Sequence, residues 1–179
     1  MKHVVFKGVL LYNGTIKQAE EIKVFRQMRR IKQQQSDEVC ISILKEQPRG
    51  VLAVHGEDGY PYAFPMDYIY KDGKIYFHCA REGHKIDALK ADNRVSFCVY
   101  NEGFRREGEW ALNITSVVIF GRIRFITDEH EAFTVCRELG EKYIPTREEL
   151  NGELERSFKH VQMLELTIDH MTGKLVNES

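Results

Sequence analysis

Cysteine is scarce in this sequence, and its four cysteines are widely spaced. They stand at Cys40, Cys79, Cys98 and Cys136 and form no C-x-x-C pair, so the spacing indicates neither a zinc knuckle nor a thioredoxin-type site. A chain of 179 residues buries roughly 70% of its unfolded surface on folding. It therefore needs no disulfide staples to fold as one domain, and we expect free thiols.

Long apolar runs are also missing. No stretch approaches the ~20 apolar residues that are needed to span a bilayer. Residues 1–27 lack the apolar core and the small-residue cleavage site of a signal peptide. We therefore expect a soluble cytoplasmic protein that does not engage a membrane.

The chain has no excess of charge of one sign and no nucleotide-binding motif. Its 26 Lys and Arg residues face 27 Asp and Glu residues, a balance that gives no electrostatic reason for binding nucleic acid. Its glycines form neither G-x-G-x-x-G nor a Walker pattern. The sequence thus offers no support for dinucleotide-binding or nucleotide-triphosphate folds, and we expect no nucleic-acid partner.

What the sequence does contain is a set of runs rich in β-branched and aromatic residues, which predict six strands. These are Gly50–His55, Tyr62–Tyr70, Lys74–Cys79, Arg94–Tyr100, Ile114–Thr127 and His160–Asp169. Helical spacing and capping residues predict helices at Glu38–Lys45, His84–Lys90, Glu129–Lys142 and Arg147–Phe158. Because the helices do not alternate strictly with the strands, the pattern excludes a doubly wound parallel sheet. It favours a mainly β fold, a small antiparallel barrel with peripheral helices.

Residues 1–35 are predicted to be an arm that precedes the domain at residues 36–179. Short apolar runs at His3–Phe6 and Val9–Tyr12, followed by the turn pair Asn13-Gly14, are compatible with a small hairpin. The polar stretch Gln18–Gln35 permits a helix but keeps helical spacing only loosely. Ser36-Asp37 then caps the first helix of the domain.

The stretch Pro61–Lys85 holds the most informative pattern. Its two strand runs flank Asp72-Gly73, a pair that is typical of a tight hairpin turn. Pro65 cannot donate a ladder hydrogen bond, so it predicts a sheet edge, a bulge, or backbone turned towards a ligand. In the longest run, Ile114–Thr127, Gly121 predicts a bulge or bend in the same way.

An anion site is predicted where the helix begins at His84. The first N–H groups of a helix have no intrahelical partner, Lys85 adds a positive charge and His84 is a second side chain that can carry one, so phosphate is the natural guest. An aromatic, proline-broken strand lies beside this site in the sequence. Flavin mononucleotide needs both features, a polar cradle for its phosphate and a flat apolar wall for its ring.

Other chemistries in this stretch stay open at the level of the residues. His78 and His84 have no third ligand at metal spacing, so we predict no metal site. Cys79 beside either histidine suits a nucleophilic pair, and it suits a buried strand cysteine better. Asp67, between apolar neighbours, is either solvent-facing or a buried acceptor. No catalytic residue can be named.

The segment Arg49–Lys85 carries a family resemblance. Its motifs P-M-x-Y, from Pro65, and F-H-x-A-x-x-G-H-K, from Phe77, resemble the nitroimidazole-resistance-type proteins of the pyridoxamine 5′-phosphate oxidase-like FMN-binding split-barrel superfamily. The resemblance extends more loosely to Ser116–Gly121 and Met171–Lys174. It implies a six-stranded antiparallel split β-barrel and a homodimer with flavin at the subunit interface. The implied cofactor is FMN, with FAD as the alternative.

The resemblance also implies the cofactor-binding residues, position by position. The strand that lies along the flavin ring is matched by Pro65, Met66, Asp67 and Tyr68. The strand end near the ribityl chain is matched by His78, Cys79 and Ala80, and the phosphate binders by His84 and Lys85. Two positions on the long strand that approach the cofactor are matched by Ser116 and Val117, with ordinary strand residues as the alternative reading.

The activity that the resemblance implies is flavin-dependent reduction of a small electron-poor acceptor, such as a 5-nitroimidazole, with NADH or NADPH as donor. Trp110, Phe104 and Tyr68 are candidates to wall the acceptor site, or else core and interface residues. The alternative is a flavin- or haem-binding module without turnover.

The sequence departs from the pattern of the resembled family in two places, which concern vitamin B6 oxidation and residues 1–27. Ile168–Lys174 lacks the arginine-rich segment of true pyridoxamine-phosphate oxidases, so vitamin B6 oxidation is not expected. Similar proteins begin near the position of Met28. Residues 1–27 are therefore expected to be an extension or the result of an upstream start.

Overall fold

A computed structural model describes residues 11–12, 15–16 and 25–176. In chain order its strands are β1 Leu11–Tyr12, β2 Thr15–Ile16, β3 Gln34–Gln35, β4 Arg49–His55, β5 Pro61–Asp67, β6 Ile69–Lys71, β7 Lys74–Ala80, β8 Arg94–Tyr100, β9 Ile114–Phe125 and β10 Val161–Val176. Its α-helices are α1 Asp37–Glu46, α2 His84–Ala91, α3 Glu129–Tyr143 and α4 Arg147–Ser157. All four helices and the six long strands lie where the sequence predicted them, with shifts of a few residues at their ends except for β10, which extends seven residues past its predicted end.

The main sheet is antiparallel and curls into a split barrel. Its strands follow the order β5-β4-β8-β9-β10-β7-β6, and β3 pairs with β10 off this path. The predicted architecture is confirmed, but the sheet has eight strands instead of six. The two extra strands, β3 and β6, have two and three residues, which is too short for a period-2 pattern to show in the sequence.

The predicted hairpin is only half formed. Asp72 and Gly73 do make the turn, both with positive φ (50° and 76°), as a two-residue turn with Asp-Gly requires. Only Ile69–Lys71 pairs with β7, whereas Pro61–Asp67 pairs with β4. The predicted strand Tyr62–Tyr70 is therefore two strands that break at Tyr68 and join different neighbours.

The two longest strands, β9 and β10, form the back of the barrel. The final strand runs on to Val176, beyond the predicted end at Asp169. The register shifts between Ile168 and His170, which pair with Gly121 and Phe120, so the predicted bulge occurs beside Gly121, with its extra residue in β10. Gly121 is also required because a Cβ there would stand 2.1 Å from the Thr167 carbonyl oxygen.

Two apolar clusters hold the fold together. One fills the barrel and receives the buried faces of α1 (Cys40, Ile43 and Leu44) and α2 (Ile86, Ala88 and Leu89). The other lies between the sheet and α3, where Val135 and Leu139 pack on Met163. Capping agrees with the sequence, since the side chains of Ser36 and Asp128 accept hydrogen bonds from the first turns of α1 and α3.

The predicted arm is described only in part. His3–Phe6 and most of the second apolar run lie outside the described residues, but Leu11–Tyr12 pairs with Thr15–Ile16. The stretch Gln18–Gln35 is described from residue 25, where it contains a short 3-10 turn at Ile31–Gln33 and no α-helix. In the described part of the chain, no helix is both long and apolar enough to cross a membrane.

Candidate functional site

The candidate site begins with the way the sheet closes. Strands β5 and β6 are the two ends of the sheet path, and only Tyr68 separates them in the chain. Because one residue links both edge strands, the sheet has to curl until its edges meet at Tyr68. The predicted edge position of Pro65 is thereby confirmed, since β5 pairs with a single neighbour, β4.

Beyond Tyr68 the two edges diverge. The β6–β7 register places Ile69 opposite Tyr76, so continuing the same ladder past Tyr68 would pair Asp67 with His78 and then Met66 with Cys79. These pairs do not form, because β5 follows β4 and β7 follows β10. We call the gap between Pro61–Asp67 and Phe77–Ala80 the split. The β5 residues that were predicted to lie along the flavin ring therefore face, across the split, the β7 residues that were predicted to lie near the ribityl chain.

The start of α2 opens onto the split. Gly83 occupies the N-cap with φ 111° and ψ 173°, a conformation that is essentially restricted to glycine. Lys85 then reaches across to β5: its ammonium lies 3.8 Å from the Met66 sulfur and 4.6 Å from the centre of the Phe64 ring. A cation and free helix N–H groups thus stand next to an apolar strand, as the predicted anion site requires.

His84 is held by an aromatic side chain that was not among the predicted site residues. Its imidazole stacks on Tyr62, with ring centres 4.3 Å apart and planes 8° from parallel. Tyr62 in turn contacts Phe64 at 4.7 Å. Tyr62 and Phe64 therefore form an aromatic floor beside the helix start, and the alternation of β5 could have indicated them in the sequence.

Charges line the side of the split nearer to Tyr68. Asp67 accepts a hydrogen bond of 2.7 Å from Arg49, so it is an ion-paired acceptor at the end of β5 and not an isolated buried acid. Desolvation by the surrounding protein lowers the pKa of His78, although its side chain stays exposed to solvent in this chain; Asp67 opposes this shift and Lys85 adds to it. His78 is thus favoured as a neutral imidazole that can donate or accept a hydrogen bond.

Cys79 is a core residue in this arrangement. It is buried, its Sγ lies 3.9 Å from the Gln162 carbonyl oxygen, and burial raises the pKa of its thiol. A raised pKa reduces the thiolate fraction, which is the reactive form. The geometry therefore favours the structural reading of Cys79 over the nucleophilic one.

Tyr68 does not wall an open site with its side chain. Its ring is fully buried and packs edge-on against Phe97 at 5.0 Å. Its backbone is held by Tyr143, whose hydroxyl lies 2.8 Å from the Tyr68 nitrogen and 2.9 Å from its carbonyl oxygen. Lys142 donates to the same carbonyl at 3.2 Å. Nothing local in the sequence could have indicated these two partners, which stand 74 and 75 residues away.

The two residues predicted on the long strand, Ser116 and Val117, lie away from the split. Val117 is fully buried inside the barrel. Ser116 lies on the outer face of the sheet, opposite Tyr100 on β8, and its strand is separated from the split by β10 on one side and by β8 and β4 on the other. Within one chain, these two residues are not brought to the other predicted site residues.

The outer face of β4, β8 and β9 is unusually apolar. Val51, Tyr100 and Phe120 are all exposed there, and Phe104 and Trp110 project from the loop between β8 and β9. Trp110 retains 75% of its surface. Phe25 covers one corner, where its ring stacks at 4.5 Å on His170 and at 5.9 Å on Phe120. Trp110 and Phe104 thus belong to an exposed surface and not to the core.

Comparison with protein families gives one match that covers most of the chain. The model of the family described as pyridoxamine 5′-phosphate oxidase matches residues 36–175. A search of curated proteins found no match.

Solved structures of similar fold include several flavin proteins. A candidate 5-nitroimidazole antibiotic resistance protein from Bacteroides thetaiotaomicron superposes with a TM-score of 0.71 at 22% identity, covering 80% of this chain and 87% of the other. An FAD-binding protein from Mesorhizobium loti gives 0.58 at 25% identity, with 80% and 96% covered. An FAD- and haem-binding protein from Mycobacterium smegmatis gives 0.66 at 22%, with 82% and 74% covered.

Proposed function

The chain belongs to the pyridoxamine 5′-phosphate oxidase family, and from this premise we propose that it binds a flavin in the split and acts as a flavin-dependent reductase. The observation that carries the proposal is the split itself. Two unpaired strand edges face each other there, and the N-terminus of α2 with Lys85 stands beside them. Few other ligands need a phosphate cradle and a flat apolar wall with free backbone groups together.

The residues present fit a flavin. The α2 N-terminus, His84 and Lys85 would hold the phosphate, because free N–H groups and a cation favour an anion. Pro65 and Met66 would lie along the ring, with open backbone groups of β5 available to its polar edge. FMN is the proposed cofactor and FAD the alternative, because both carry the same ring and the same first phosphate.

A bound flavin would supply the redox chemistry, and the chain's residues would bind, orient and shield it. His78 favours its neutral form, so it suits hydrogen bonding to a polar ligand atom better than charge pairing. Asp67 stays paired with Arg49, so the charge of its carboxylate is balanced beside the proposed ring site. Met66 is buried and keeps water from that side of the split.

The proposed reaction passes two electrons from NADH or NADPH to a small electron-poor acceptor, such as a nitroaromatic compound of the 5-nitroimidazole class. The fold shared with the Bacteroides protein supports this acceptor class. Vitamin B6 oxidation is not proposed, because the segment Ile168–Lys174 forms β10 and has no arginine.

We also propose a homodimer in which the outer face of β4, β8 and β9 forms the subunit interface. Exposed apolar patches of this kind are typical of interaction surfaces. Ser116 lies on this face, and a second copy bound there would place Ser116 in the subunit interface, where the resemblance implies the flavin.

An absorbance spectrum of the purified protein tests the proposal, followed by release and chromatography of the chromophore. Flavin bands near one equivalent per chain, with NADH or NADPH oxidation in the presence of a nitroimidazole, are expected. Tight flavin binding without turnover of any donor and acceptor would favour the non-catalytic module. A Soret band, or no chromophore after flavin is added, would contradict the flavin site.

A further inference from the structure

We infer that Lys142 and Tyr143, at the C-terminal end of α3, act as a clamp on Tyr68 that keeps the split open and positions the end of β5 for its ligand. The inference rests on the proposed flavin site and goes beyond it, because neither residue is among those assigned to the flavin. Both would be positioning residues, acting through the backbone of Tyr68.

Tyr143 satisfies the backbone of the linking residue. Its hydroxyl accepts from the Tyr68 N–H at 2.8 Å, and it lies within hydrogen-bond distance of two carbonyl oxygens, those of Tyr68 and Pro48. A buried N–H group without a partner is costly. The Tyr68 N–H faces no sheet neighbour, since neither β5 nor β6 includes it, and Tyr143 replaces the bond that a strand would have supplied.

Lys142 adds a second hold on the same residue. Its ammonium donates to the carbonyl oxygens of Gln47 at 2.7 Å and Tyr68 at 3.2 Å, and it lies 4.3 Å from the centre of the Tyr68 ring. Burial lowers the pKa of Lys142, and the nearby Asp67 opposes that shift. The end of α3 is thereby tied to the link between α1 and β4 and to the junction of β5 with β6.

The register of β6 and β7 explains why holding Tyr68 in place would keep the split open. The β6–β7 ladder stops at Ile69 and Tyr76, and continuing it would pair Asp67 with His78 and close the split. Nothing in the local sequence prevents that extension, because the predicted hairpin ran through it. The Tyr143 hydroxyl instead ties Tyr68 to the β4 side, because it also bonds the Pro48 carbonyl, and Pro48 stands opposite Tyr68 when the β4–β5 register is extended by one residue. A third tie, from Arg49 to Asp67, holds the end of β5 against β4.

The test compares Tyr143→Phe and Lys142→Met with a matched control, Tyr76→Phe. Tyr76 is a buried tyrosine whose hydroxyl is influenced by Glu165 and not by Tyr68. Thermal unfolding and far-UV circular dichroism establish that each variant folds. Two readouts follow: hydrogen exchange of the backbone from Met66 to Tyr70 without flavin, and FMN affinity by fluorescence titration with visible circular dichroism of the bound flavin.

In both clamp variants, we expect the backbone amides of Tyr68 and its neighbours to exchange hydrogen faster than in the unaltered protein. We also expect FMN to bind roughly tenfold more weakly and the visible circular dichroism of the bound flavin to change. The control is expected to change affinity by less than about twofold. Unchanged exchange at Tyr68 in Tyr143→Phe would overturn the clamp whether or not flavin binds. Equal FMN affinity in clamp and control variants would overturn it too. Failure of the unaltered protein to bind flavin would instead sink the proposed function, and with it the ligand-positioning role.

Discussion

The ammonium of Lys85 lies 3.8 Å from the sulfur of Met66, and this contact joins the start of α2 to the edge strand across the split. Nineteen residues separate the two side chains in sequence. A ligand phosphate at the helix start would thus lie beside the strand proposed to carry the flavin ring. In the proposed site, phosphate binding and ring orientation would thus be coupled through Lys85.

Replacing this lysine tests the phosphate assignment. Lys85→Ala should weaken flavin affinity by about 1.5–3 kcal/mol, because a charge-assisted hydrogen bond to phosphate is lost. Fluorescence titration with FMN measures the change. Lys90→Ala on the exposed last turn of the same helix is the control and should leave affinity intact. Equal affinity in both variants would rule out Lys85 as a phosphate ligand.

Gly83 should tolerate no side chain. Its φ of 111° with ψ near 173° is strained for any residue with a Cβ, although space around it is open. Gly83→Ala should therefore lower the free energy of unfolding by about 1–3 kcal/mol, measured in urea, or displace the helix start and weaken flavin binding. Gly152→Ala inside α4 has ordinary φ and should be neutral or slightly stabilising. A fully stable Gly83→Ala variant with normal flavin binding would contradict the strain.

A buried carboxylate should govern acid stability. Glu165 has a side chain only 4% exposed, bonded to Lys74 at 2.9 Å and Arg124 at 2.6 Å. Burial raises the pKa of Glu165, but the two cations outweigh it and lower the pKa below 4.5. Its stabilisation is thus fully present above pH 4.5 and is lost as the pH falls through the lowered value.

Glu165→Gln should lower the free energy of unfolding by about 2 kcal/mol at pH 7, since two cations lose a buried partner but stay partly solvated. The difference from the unaltered protein should shrink as the pH drops below the ordinary carboxyl range. Urea unfolding across pH 3 to 7 measures it, with the exposed Glu155→Gln as control. A constant difference across this range would refute the assignment.

The proposed interface can be disrupted by one charge. Phe120 is 41% exposed on the outer sheet face, and Phe120→Lys would bury a cation from each subunit at the interface. We expect the dissociation constant to rise at least about thirtyfold, as measured by analytical ultracentrifugation. Val39→Lys places the same charge on α1, away from that face, and should leave the dimer intact. A monomeric unaltered protein would contradict the interface.

Local features of the fold could be predicted from the sequence because they depend on neighbouring residues. The Asp72-Gly73 turn requires two positive φ angles, and this pair accepts them. Pro65 has no N–H group, so it belongs at a sheet edge. The helix start at His84 and the caps at Ser36 and Asp128 likewise follow from short-range hydrogen bonding.

Only the tertiary structure decided which edges stay apart. The sequence is as compatible with a hairpin that runs through Tyr68 as with a split that opens there, because both satisfy the same alternation. The choice depends on Tyr143 and Lys142, which meet Tyr68 only when α3 packs on the sheet. Ser116 shows the same limit, since its strand was predicted but its place on the outer face follows from pairing with β8 and β10. Contacts between residues far apart in the chain leave no periodic trace in the sequence, and here those contacts shape the site.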